Sequence, residues 1–148
     1  MHTRPISERI IVGVGAVVWN DRDEVLLIRR AQPPRENEWS LPGGKVEFGE
    51  SLRAALVREV REETRLDVEI LGLIDVAELM HDEAAGAAHA HYVLVDFSVR
   101  ALSNDAVAGS DAAEARWFPI DALAELPLWS ETRRIIALSA GTLRRRPR

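Results

Sequence analysis

Between Ser51 and Thr64 an apolar residue recurs every fourth position (Leu52, Leu56, Val60), while Glu59, Glu62 and Glu63 crowd the same stretch. The spacing predicts a helix over 51–64 with Ser51 as its N-cap. Helical geometry sets Glu59 and Glu63 about 40° apart around the axis, with Glu62 about 60° to the other side of Glu59. Like charges so placed repel, at a cost of tenths of a kcal/mol per pair. The helix must therefore pack its apolar side and relieve its acidic side. Relief comes either from solvent and pairing with Arg58, Arg61 and Arg65, or from a cation. Hard divalent cations take oxygen ligands, and Mg²⁺ is commonly held by one or two carboxylates together with substrate phosphates.

Around that helix the pattern is mostly that of strands. Ile10–Trp19 is a continuous apolar, β-branched run, and Val25–Arg30 is a second one behind the polar turn 20–23, so the two read as a hairpin. Pro33 and Pro34 make 32–38 a loop. Strands follow at about 67–79 and 89–100. In the latter, His91, Val93, Val95, Phe97 and Val99 share one face, and Tyr92, Leu94, Asp96 and Ser98 the other. A loop at 81–88, a turn-rich stretch at 104–113, a short strand at 116–118, a small helix from Pro119 to about 126 and a closing helix at 129–139 complete the reading. Strands mixed with few helices indicate an α/β (α+β) class. At 148 residues the chain is one domain long. Residues 1–143 are read as that domain, and the basic run 144–148 as a disordered end.

Composition removes several chemistries. With no cysteine, thiolate nucleophiles, disulfides and Cys-ligated metals are out, so a metal site must draw on carboxylates, carbonyls or the four histidines. Nineteen basic against 24 acidic residues leave a net charge of −5, which disfavours nucleic acid as a partner. No apolar run approaches the roughly 18–20 residues that cross a bilayer. Ile10–Trp19 after Arg4 and Arg9 imitates a signal peptide but lacks a small-x-small cleavage site, so a cytoplasmic location and no membrane partner are expected.

The stretch from Gly44 to Leu66 resembles the Nudix box, G-x5-E-x7-R-E-U-x-E-E-x-G-U, with U a bulky aliphatic residue. Gly44, Glu50, Arg58-Glu59, Val60, Glu62-Glu63 and Leu66 fall on its positions, and Arg65 stands where the box has glycine. The flanking Trp39-Ser40-Leu41-Pro42-Gly43-Gly44 and Arg116-Trp117-Phe118-Pro119 are also similar to family segments. The resemblance implies an α/β/α sandwich with a mixed sheet that hydrolyses a nucleoside diphosphate linked to another moiety, using Mg²⁺ or Mn²⁺. On this chain it implies Glu59 and Glu63 as metal ligands, with Glu62 beside them and the Gly43 carbonyl as a further one. Arg58 would pair with a box carboxylate, Glu50 first. The general base is left among Glu62, Glu59, Glu114, Asp111, Asp82 and Glu83.

Arg4-Pro5-Ile6, the run 12–18 and Gly43–Glu47 look like the compact ADP-ribose pyrophosphatase-like branch. That makes ADP-ribose or a similar nucleotide sugar the expected small-molecule substrate. Nucleoside-triphosphate clean-up and a non-catalytic nucleotide- or RNA-binding module are the alternatives, and a homodimer is left open. A glycine past the helix end normally serves as a left-handed cap, so Arg65 is expected to cost stability on the order of 1 kcal/mol without loss of a ligand. Arg29 and Arg30 are candidates for a substrate phosphate, Gly44 for the substrate's backbone contact, and Trp39 or Tyr92 for stacking on a base, against a plain role in the core for the aromatics. Gly13 and Gly15 read as close strand packing, and His81, His89 and His91 as surface or core histidines rather than a zinc site.

Overall fold

The computed structural model describes residues 9–31, 37–80, 91–109 and 112–145. Seven strands form one mixed sheet: β1 (Ile10–Trp19), β2 (Val25–Arg30), β3 (Trp39–Ser40), β4 (Gly43–Lys45), β5 (Val68–Leu79), β6 (His91–Ala101) and β7 (Ala112–Phe118). Their order is β3-β2-β1-β6-β5, with β4 added on β1 and β7 on β2. The β1–β6 pair is parallel and the other pairs are antiparallel. The helices are α1 (Leu52–Thr64) and α2 (Ser130–Arg145), with a 3₁₀ turn at Ile120–Glu125.

Side-chain alternation along β1 explains the layering. Val14, Ala16 and Val18 join Leu26, Phe97, Val99 and the α1 residues Leu56 and Val60 in one core. Val17 and Trp19 join Val25, Leu27 and the α2 residues Ile135 and Ile136 in the other. Alternate residues of one strand thus feed opposite cores, which places the sheet between the helices. A strand covered on both faces has no polar side to show, and this is why 10–19 reads as unbroken apolar sequence. The expected α/β architecture with a mixed sheet is the observed one.

Several boundaries differ from the sequence reading. β7 begins at Ala112 rather than Arg116, because its alanines, weak strand formers on their own, are held by the ladder to β2 from Arg30↔Ala112 onward. The small helix after Pro119 is a 3₁₀ turn. Leu52 is 37% exposed, so the apolar face of α1 is carried by Ala55, Leu56 and Val60 instead. α2 runs past Ser139 to Arg145 and takes in the first two residues of the basic run. Ser51 caps α1 as expected, its hydroxyl accepting from Ala54 N at 3.1 Å.

The C-terminal end of α1 shows what the missing box glycine costs. Arg65 adopts φ 61° and ψ 17°, the left-handed conformation that glycine takes without penalty, and its N–H donates to Arg61 O at 2.9 Å. The next carbonyls are met from elsewhere, by Val107 N to Thr64 O and Gly109 N to Glu63 O, each 2.9 Å. Arg65→Gly should therefore stabilise the fold by up to about 1 kcal/mol, less the lost attraction of the arginine for the helix C-terminus. A thermal melt should show a rise of a few degrees at most, with turnover within a few-fold of wild type. A large rise in KM without any gain in Tm would instead mean that Arg65 grips substrate.

Candidate active site

β4 lies antiparallel to β1 through Gly13↔Lys45, Val14↔Gly44 and Gly15↔Gly43, and glycine is what lets the pieces approach. A Cβ on Gly43 would sit 2.0 Å from Val14 O. One on Gly44 would sit 2.4 to 2.7 Å from the carboxylate atoms of Glu59. The Gly43-Gly44 pair thus brings the sheet edge down onto the acidic side of α1.

Arg58 organises that side. Its Nε and Nη2 donate to the two oxygens of Glu50 at 2.7 and 2.8 Å, a bidentate clamp. Nη1 donates to Glu59 at 2.8 Å and, less closely, to Glu62 at 3.3 Å. Nη2 also reaches the Lys45 carbonyl at 3.1 Å. The clamp holds the Glu50 carboxyl down at about 2, helped by the Glu47 N–H, and the carboxylates push the arginine upward in turn. Glu59 is shifted the other way. Burial raises its pKa, more than the contact with Arg58 lowers it. Glu63 takes a different partner, its Oε1 accepting from Gly43 N at 2.7 Å. The expected pairing of Arg58 with Glu50 is the one observed.

Glu59, Glu62 and Glu63 share a side of α1, yet among the described residues no three carboxylates or histidines close on one point. Arg58 stands between Glu59 and Glu62 and offsets their repulsion. The donor set still suits a hard divalent ion. It offers oxygen ligands, among them the Glu59 carboxylate, on a side chain 16% exposed and lodged against a glycine whose Cβ would fill the space. Glu59, Glu63 and Glu62 would hold such an ion, with the Gly43 carbonyl beside them.

Across β4 from these glutamates, a cavity of about 370 Å³ opens on the α2 side of the sheet. Gly13, Gly15, Gly43 and Gly44 form part of its lining, so it borders the box directly. Arg30 and Tyr92 also line it, but three expected substrate or base residues do not. Arg29 donates to Asn37 Oδ1 at 2.6 Å and lies 3.4 Å from Glu114. Glu114, the loop-base candidate, is held between Arg29 and Arg116 on the ladder from β2 to β7. Trp39 stacks edge-to-face on Phe118, ring centroids 5.0 Å apart, under the Arg116 guanidinium. It packs on the core, the alternative role weighed for it against stacking on a base. His91 bonds Glu78 Oε2 at 2.9 Å, and the alternatives Asp82, Glu83, Asp111, His81 and His89 lie outside the described residues.

The cavity also contains groups the sequence reading did not single out: Trp129, Glu131 and Thr132 at the start of α2, and Asp96 in β6. Asp96 had a visible signal, an acid alternating with apolar residues in mid-strand. Burial pushes its carboxyl up to about 7. The folded protein then holds a proton that the unfolded chain has already lost at ordinary carboxylate pH. Its contribution to stability is complete below about pH 4 and lost as pH rises through about 7. Melts of Asp96→Asn should therefore gain several degrees on wild type between about pH 5 and pH 8. A pH-independent difference between the two would contradict the assignment.

Known proteins are similar to this chain in sequence and fold. Residues 9–138 match the NUDIX domain family. The chain is 33% identical over 115 residues to an ADP-ribose pyrophosphatase of Methanocaldococcus jannaschii, covering 78% of this chain and 65% of that one. It is 34% identical over 116 residues to the 8-oxo-dGDP phosphatase NUDT18 of Danio rerio, covering 78% and 33%. It thus spans just under two thirds of the archaeal protein and a third of the fish one. Among solved structures, a MutT NUDIX hydrolase from Burkholderia pseudomallei superposes with a TM-score of 0.74 at 32% identity, covering 88% of this chain and 98% of that one. The box residues on α1, the sheet between two helices and the match over 9–138 together place this chain in the Nudix hydrolase family.

Proposed function

We propose that this chain hydrolyses the diphosphate of a nucleoside diphosphate linked to a second group, with ADP-ribose as the leading substrate and Mg²⁺ or Mn²⁺ as cofactor. The observation that carries the reading is the Gly43-Gly44 partition: clamped carboxylates lie on one side of it and a nucleotide-sized cavity on the other. A base and sugar in the cavity would set the diphosphate beside α1. The metal would neutralise the polyanion and orient water for attack at phosphorus. Glu59 and Glu63 hold position through Arg58 and the Gly43 N–H. Glu62, 48% exposed and held by one longer contact, has room to take the proton that water loses as its oxygen bonds phosphorus and the anhydride P–O bond breaks. Arg58 keeps the carboxylates in register, and the lining position of Arg30 supports it over Arg29 as the candidate to meet a phosphate.

Similarity to NUDT18 favours a second reading, damaged nucleoside diphosphates such as 8-oxo-dGDP. A product-resolved screen of ADP-ribose, other nucleotide sugars, dinucleoside polyphosphates, 8-oxo-dGDP and the NTPs, with Mg²⁺ and with EDTA, separates the two. The expected result is AMP and ribose 5-phosphate from ADP-ribose at the highest kcat/KM. Preferred release of phosphate from 8-oxo-dGDP would move the substrate to the second reading. Absence of Mg²⁺-dependent turnover on every compound would leave a nucleotide-binding module instead.

A further inference from the structure

Asp96 plays no part in the hydrolytic chemistry above, yet it is the most buried titratable group of the cavity. Its residue is 4% exposed, and among the described residues no donor lies within hydrogen-bond reach of its carboxyl. The charges that act on it, Arg134 and Glu131 from α2 and Asp75 from β5, pair with one another instead, Arg134 lying 2.7 Å from both Asp75 and Glu131. The fold makes room for the carboxyl on purpose-shaped backbone: a Cβ on Gly15 would sit 2.2 Å from Asp96 Oδ1. The cavity wall carries the apolar and aromatic residues Leu94, Ala77, Ile135, Tyr92 and Trp129 beside the polar Ser40, Glu131 and Thr132. An unpartnered buried carboxyl is costly to keep, and a ligand that brings a donor removes the cost.

We propose that Asp96 determines base specificity: resting on the reading of the cavity as a nucleotide site, its carboxyl accepts a hydrogen bond from an N–H of the nucleobase that enters. The phosphates are excluded from this spot by their charge and belong beside α1. A planar base with N–H groups on its edge fits apolar walls and supplies the missing donor. Above about pH 7, where the carboxyl is mainly ionised, it can only accept, so a base that presents an acceptor at this point leaves it unpaired, and sites built around a buried polar group reject such ligands strongly.

Calorimetric binding of AMP, GMP, CMP, UMP and ribose 5-phosphate in the presence of Mg²⁺ at about pH 8, above the Asp96 titration, tests this in wild type and Asp96→Leu, with Asp96→Ala as a second, smaller replacement. Wild type should bind one nucleotide at least about tenfold tighter than the others. Either variant should compress the four Kd values to within about threefold while leaving ribose 5-phosphate unchanged. The same ranking in the variants, equal weakening of all five ligands, or no base preference in wild type would overturn the proposal. Turnover of nucleotide diphosphates with base-indifferent binding would sink this inference alone. Base-selective binding without turnover would sink the hydrolase reading alone.

Discussion

Glu63→Gln is expected to lower kcat by about a hundredfold or more with the melting temperature almost unchanged. The two effects separate because Glu63 makes a structural contact apart from its proposed hold on the cation. Its Oε1 accepts from Gly43 N at 2.7 Å, and the amide oxygen of glutamine can accept the same bond, so the β4–α1 contact survives. What glutamine cannot supply is the negative charge that would hold the cation, and the loss should deepen as Mg²⁺ becomes limiting. Steady-state kinetics across a Mg²⁺ titration, with a melt of the same sample, reads both quantities. Near-normal kcat at limiting Mg²⁺ would remove Glu63 from the metal set.

Gly44→Ala should act on the same site from the opposite side. The added methyl would lie 2.4 Å from Glu59 Cδ, roughly 1 Å inside ordinary contact, so the carboxylate must move. It is the flexible end of a side chain, and the displacement should cost little stability. It is also one of the carboxylates whose position Arg58 fixes at 2.8 Å, and misplacement by about 1 Å can cost catalysis about a hundredfold. The expected variant is therefore folded and slow. A variant that loses Tm in proportion to activity would mean that Gly44 serves the fold, and one with full activity would mean that Glu59 does not hold its place through this contact.

Much of the frame was legible because it rests on local periodicity. The fourfold apolar spacing gave α1, the unbroken β-branched run gave β1, and the alternation around Phe97 separated the two faces of β6. The clustering of Glu59, Glu62 and Glu63 was legible for the same reason, as was the strain at Arg65 once a cap was expected there. Long-range partners were not. Trp39 meets Phe118, and Glu114 meets Arg29 and Arg116, through strand pairings that no local pattern specifies. The cavity is assembled from β1, β4, β5, β6 and the start of α2, so Asp96 shows its isolation only once Gly15 lies opposite it. The alanines that open β7 carry little strand preference and depend on β2 to order them.

The proposed hydrolysis requires the carboxylates of α1 to bind a divalent cation. Titrating Mn²⁺ into wild type and into a Glu59→Gln/Glu63→Gln double variant, followed by electron paramagnetic resonance of the free ion, tests that binding without any assumption about substrate. Wild type should deplete the free Mn²⁺ signal saturably, and the folded double variant should need at least about tenfold more Mn²⁺ for the same occupancy. Equal binding by the two proteins would place the metal away from this helix and contradict the proposed role of its carboxylates.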